Sequence, residues 1–188
     1  MKSKMIISAL ALAFLSARVI CAADSDEEKQ AKIRKGVSEA LQDLYKLQPT
    51  AQAAIQKAAG YAVFKNFGTN LLVVSTASGK GIATNNQTKQ ETFMKMISGG
   101  AGLGMGVKDF RVIFVFESDK AFNQFLESGW SGSGQADAAA KTATSGGAVS
   151  GAAEVAPDTY VYQITKKGLA LQLTLQGTKY YKNDDLNK

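Results

Sequence analysis

Between residues 27 and 47 the apolar side chains Ile33, Val37, Leu41 and Leu44 recur at helical spacing, with Lys32, Lys35, Glu39, Gln42 and Lys46 on the other side. That 3.6-residue period predicts an amphipathic helix with one buried stripe. Ser25 or Asp26 can cap it, and the acidic run at Asp26, Glu27 and Glu28 suits the positive end of its dipole. Pro49 stops it, because the residue before a proline resists helical geometry. An alanine-rich second helix is expected over residues 51–59, with Gly60 as its C′ residue.

From Tyr61 the period drops from 3.6 to 2. Residues 61–64 and 71–74 are apolar on both faces and read as buried strands, and residues 79–84 as a weaker one before the polar turn Asn85-Asn86-Gln87. Residues 92–107 run on with glycine as their one break signal. Residues 110–117 are again apolar on both sides, as a central strand requires. Ser118 then caps a helix over residues 119–128, whose Ala121, Phe122, Phe125 and Leu126 form one stripe, and Gly129 ends it. Tyr160, Tyr162 and Ile164 alternate with polar and small neighbours. So do Leu169, Leu171, Leu173 and Leu175, and Lys166-Lys167-Gly168 between the two runs predicts a hairpin turn.

Ser98-Gly99-Gly100-Ala101-Gly102-Leu103-Gly104-Met105-Gly106 lacks the spacing of a dinucleotide fingerprint and of a P-loop. Its glycines recur every second residue, which in a strand leaves one face bare and lets backbone, a curved sheet or a ligand come close. With the blocks Ala58-Ala59-Gly60-Tyr61-Ala62-Val63-Phe64, Phe110-Arg111-Val112-Ile113-Phe114-Val115, Tyr160-Val161-Tyr162 and Lys167-Gly168-Leu169-Ala170-Leu171, and the closing Leu175-Gln176-Gly177, it resembles the SYLF-domain family. These are lipid-binding modules of fungal actin-patch proteins and of secreted bacterial proteins. The resemblance covers most of residues 51–182. It implies that residues 131–153, which composition alone reads as a flexible Gly/Ala/Ser/Thr linker, supply strands to the same sheet. Helix 27–47 starts acidic and is only modestly basic, unlike the strongly basic helix of phosphoinositide-binding members, so phosphoinositide specificity is not carried over, and actin binding does not suit an exported bacterial-type protein. The expected fold is α+β: a strongly curved antiparallel, glycine-rich sheet or barrel-like core, with two N-terminal helices and one helix after the central strand.

Composition narrows the chemistry. Lys2 and Lys4, the apolar residues 5–15 and the small residues Cys21, Ala22 and Ala23 form a secretory signal pattern over residues 1–23. The expectation is a cleaved leader, export to the periplasm or outside, and one SYLF-like domain over residues 24–188. Cys21 raises lipidation as a less favoured alternative, since Ile20 and Arg18 fit that signal poorly. Losing Lys2, Lys4 and Arg18 from 22 basic residues leaves 19 against 16 acidic ones, a net charge of +3 in place of +6. A general nucleic-acid binder is not implied. With no histidine and the single cysteine inside the leader, Ser-His-Asp and Cys-His catalysis and ordinary zinc sites are excluded. No carboxylate pair at i,i+3 or i,i+4 sits in an apolar context that would lift one pKa for acid-base work, and the expectation is a non-enzymatic domain without a cofactor or metal.

Phospholipid or membrane-surface binding is the expected function, and a structural or protein-interaction module with a cell-envelope partner is the alternative. Cations and amphipathic aromatics suit an anionic membrane surface. The candidates are Lys32, Arg34 and Lys35 on the first helix, Trp130, Lys166 and Lys167 at the hairpin turn, and the run Lys179-Tyr180-Tyr181-Lys182. Each also has a plainer reading: solvated lysines on a packed helix, a core tryptophan, an exposed hairpin tip.

Overall fold

A computed structural model describes residues 24–66, 76–99, 110–132, 149–165, 168–169 and 178–188. Helix α1 (Asp26–Leu47) begins at Ser25, whose side chain accepts a hydrogen bond from Glu28 N. Ile33, Val37, Ala40 and Leu44 form its buried stripe, as the spacing predicts. Helix α2 (Thr50–Lys57) ends before Gly60, and glycine does not cap it. Its last carbonyls are met by the Asn86 side-chain amide, which donates to Ile55 O at 2.6 Å and Ala58 O at 2.8 Å. Gly60 instead opens strand β1 (Gly60–Asn66) and lies under the Phe122 ring, which fills the space a β-carbon would take.

The strands that follow are β2 (Thr76–Asn85), β3 (Glu91–Gly99), β4 (Phe110–Phe116), β5 (Trp130–Ser131), β6 (Ala153–Ala156), β7 (Thr159–Thr165), β8 (Gly168–Leu169) and β9 (Thr178–Lys182). They form one antiparallel sheet in the order β5-β9-β3-β2-β1-β4-β7-β6, with β8 also paired to β7, and it curls into a half-barrel. Helix α3 (Asp119–Ser128) follows β4, capped by Ser118 and closed by Gly129 at φ +69°. The α+β architecture thus stands as the pattern predicts: two N-terminal helices, a curved antiparallel sheet and one helix after a central strand.

Strand alternation sends each strand's side chains to two separate cores. Val63, Ile82, Phe93, Ile113, Val115, Tyr162 and Ile164 pack with α1 and α2 on one face. Phe64, Met94, Met96, Val112, Phe114, Phe116, Val161 and Tyr180 pack with Phe122 and Phe125 of α3 on the other. This explains why residues 110–116 are apolar without interruption save Arg111: β4 is covered on both sides. The second core is chiefly aromatic, with Phe114 within 5.2 Å of Phe125 and 4.9 Å of Tyr180, centroid to centroid.

Two expectations change. The segment after the hairpin is more than an exposed tip: residues 178–182 form β9, held between β3 and β5, and a 3₁₀ turn (Asp184–Leu186) follows. Asn187 ties that tail to β3, accepting from Phe93 N and donating to Phe93 O. Gly60, as noted, is a strand residue. The leader expected at 1–23, the strand expected at 71–74, the glycine run 100–106, the core of the small-residue segment at 133–148, Lys166 and Lys167, and residues 170–177 lie outside the described residues.

Candidate functional site

On the face that carries α1, the registers of four neighbouring strands bring four cations into one line. Arg111 of β4 pairs with Lys65 of β1, Lys65 with Lys80 of β2, and Lys80 with Lys95 of β3. The line ends at Tyr181 of β9, opposite Lys95. Neighbouring strands lie about 4.8 Å apart, and like charges directly opposite one another destabilise a sheet. Such a row persists where anions compensate it.

Carboxylates from outside the sheet do so in part. Glu39 and Asp43, one turn apart on α1, reach down to Lys65 at 2.7 Å and Arg111 at 3.5 Å. Asp185 of the C-terminal turn reaches Lys95 at 2.8 Å. The hydrogen bond from Lys65 holds the Glu39 carboxyl below its ordinary range, with Lys35 and Arg111 adding to the effect. Lys80 is exposed and forms no ion pair among the described residues. Among the described residues the Arg111 guanidinium is held by one long ion pair, and its buried Nε has no hydrogen-bond partner.

One step further along β3 and β9, Ile97 sits opposite Lys179. Ile97 is 47% exposed and Tyr181 37%, large apolar side chains at the surface among the described residues. Apolar and cationic side chains therefore alternate over this part of the sheet: Lys95 beside Tyr181, Ile97 beside Lys179.

The residues singled out from sequence divide. Lys179 and Tyr181 belong to this patch, and Lys182 is exposed at the end of the same strand. Tyr180 does not belong, because the alternation of β9 turns it to the opposite face. It is 1% exposed among Phe64, Phe114 and Trp130, where burial pushes its phenol far above the ordinary value. Its place is in the core, and it cannot meet a lipid surface. Lys32 and Arg34 are exposed, but their charge is engaged: Lys32 pairs with Asp24 at 2.7 Å and Arg34 with Glu91 at 2.7 Å. Arg34 also lies 5.0 Å from the Phe93 ring centroid. The lysines of α1 thus face water while its apolar stripe packs on the sheet. Lys35 is exposed on α1 and acts on Glu39 at the cation row. Trp130 is half-buried, with its ring 5.7 Å from Phe114 and 5.9 Å from Tyr180. It also lines a cleft of about 270 Å³ beside α3 with Phe125, Pro157 and Asp158. Lys166 and Lys167 lie outside the described residues.

Sequence reading missed Lys65, Lys80, Lys95 and Arg111. Each stands singly in the chain, and only strand register assembles them. The available signal was a charge interrupting an apolar run, as Arg111 does within Phe110-Arg111-Val112 and Lys95 within Met94-Lys95-Met96. No group of three or more His, Cys, Asp or Glu able to hold a metal occurs among the described residues. No helix among them is long and apolar enough to cross a membrane.

Residues 97–188 match the family model Ysc84, described as "Las17-binding protein actin regulator". Over 168 residues the chain is 31% identical to Beta cell expansion factor A of Aeromonas veronii, a match that takes in 86% of this chain and 60% of that protein. The chain thus spans 60% of the length of this relative. The family is one of binding domains, and membership points to a lipid-binding or actin-related module. Of the strands that carry the cation row and its aromatic neighbour, β4 and β9 lie inside the matched segment while β1, β2 and most of β3 precede it, and over residues 97–188 the chain belongs with the Ysc84 (SYLF) family.

Proposed function

We propose that this chain is a non-enzymatic domain that binds anionic phospholipid surfaces after export to the cell envelope on the leader at residues 1–23. One observation carries the reading: Ile97 and Tyr181 stand exposed on a rigid sheet face, flanked by Lys80, Lys95 and Lys179. Burying such a side chain in the interfacial region gains about 1.5–3 kcal/mol when burial is complete. Each lysine near an anionic leaflet adds about 1 kcal/mol, screened within a Debye length. The sum describes a reversible surface contact with a strong salt dependence.

Vesicle flotation of the protein tests it, with phosphatidylcholine alone and with added phosphatidylglycerol, at low and high salt. Binding to the anionic vesicles at low salt, weakened several-fold by salt and by Ile97→Ser with Tyr181→Ser, is expected. Both substitutions fall at exposed positions and leave the core intact. Absence of association with either vesicle at low salt removes the reading. The second reading, a protein-binding module of the envelope, draws on the family description, which names a protein partner. Stoichiometric capture of an envelope protein that persists after lipid removal would favour it.

A further inference from the structure

We infer that Arg111, Lys65 and Lys80, with Lys35 of α1 beside them, form a phosphate-binding site in which Glu39 and Asp43 stand in for the ligand. The inference deepens the surface-binding reading and rests on it for the lipid arm of its test.

Three observations support it. The first is the row itself. Arg111, Lys65 and Lys80 are Cα partners on three adjacent strands, a juxtaposition that repels unless an anion lies over it. The second is incomplete neutralisation. Lys80 has no carboxylate partner among the described residues, and Arg111 meets Asp43 through one nitrogen at 3.5 Å. A guanidinium is built to grip a planar or tetrahedral oxyanion with two parallel donors. Here its buried Nε has no hydrogen-bond partner among the described residues, and the guanidinium is held by less than a full grip. The third is the source of the anions. Glu39 and Asp43 come from one face of α1 and remain 44% and 38% exposed. Exposed pairs of this kind are weak and exchange readily. A phosphate oxyanion carries more charge and more acceptors than either carboxylate, and so displaces them without disturbing the buried stripe of α1.

The shared chemistry is a phosphate group, from a lipid headgroup or free in solution, and the two arms of the test separate these sources. Inorganic phosphate is titrated into the protein while backbone amides at Lys65, Lys80 and Arg111 are followed by NMR. Vesicles of phosphatidylcholine with and without phosphatidic acid are floated in parallel. Wild type, Glu39→Gln with Asp43→Asn, and Lys80→Gln are compared. Removing the two carboxylate charges should tighten phosphate binding about tenfold, and Lys80→Gln should weaken it several-fold, with shifts confined to these strands. If phosphatidic acid is the source, vesicle binding rises in the carboxylate variant and free phosphate competes it away. If phosphate tightens but vesicles never bind, the site stands with a soluble phosphate and the surface-binding reading falls. If wild type binds anionic vesicles while the variants alter neither phosphate shifts nor flotation, the site is overturned and the surface reading stands. Lys80 is exposed, so its variant keeps the test decisive even where the α1 variant unfolds.

Discussion

Tyr180 and Gly81 show how tightly the aromatic core constrains single positions. The Tyr180 hydroxyl is buried with no hydrogen-bond partner among the described residues. A desolvated, unpaired hydroxyl costs about 1–3 kcal/mol. Tyr180→Phe is therefore expected to hold or raise the urea midpoint, by up to about 1 kcal/mol of stability. A fall of the midpoint would show that the hydroxyl has a partner. Gly81 lies opposite Phe64, and a β-carbon there would meet the Val63 carbonyl oxygen and the Phe64 ring. Strand propensity favours valine over glycine by up to about 1 kcal/mol. Overpacking against backbone costs more, about 1–3 kcal/mol, so Gly81→Val is expected to lower thermal stability. The contact decides the sign.

At the scale of the element, α3 depends on its first turn. The Ser118 hydroxyl accepts from Ala121 N at 3.3 Å and donates to Asp158 Oδ2 at 2.9 Å, joining the helix to the turn between β6 and β7. Ser118→Ala should lower stability by about 1 kcal/mol, the usual loss of an N-cap. A double-mutant cycle with Asp158→Ala, read by denaturant unfolding, should give a coupling of about 0.5 kcal/mol or more, since the two side chains touch. A cycle that closes to zero would confine Ser118 to capping. Helix α1 was legible from its spacing because its stripe, cap and acidic first turn are all local. Strand β9 was not. Its five residues, Thr-Lys-Tyr-Tyr-Lys, look like a polar tail until β3 and β5 pair with them.

Over the whole molecule, surface ion pairs brace the start of α1 and tie α1 and the C-terminal turn to the sheet. Lys32 holds Asp24, Lys29 holds Asp26, Lys65 holds Glu39 and Lys95 holds Asp185, each through a hydrogen bond that lowers the carboxyl's pKa. A depressed folded pKa means that, near these values, the native state binds fewer protons than the unfolded chain. The contribution is complete above the ordinary values of 3.8 for Asp and 4.5 for Glu, and fades as pH falls through the lower folded values. Urea midpoints followed from neutral to acid pH should fall in that lower window. Glu39→Gln and Asp185→Asn together should flatten the fall, and an unchanged slope would show that these pairs add nothing to folding.

By itself the sequence determined the helices, the double-sided strands, the absence of histidine and of any cysteine besides Cys21, and the resemblance to a lipid-binding family. Those features are written in local periodicity and composition, which need no partner strand. Tertiary structure decided which of two adjacent tyrosines is core and which is surface, that the charges of Lys32 and Arg34 are engaged, and that four cations scattered between positions 65 and 111 lie side by side. Strand register makes neighbours of residues far apart in the chain, and register is fixed by burial on both faces of the sheet, which no stretch of sequence specifies alone.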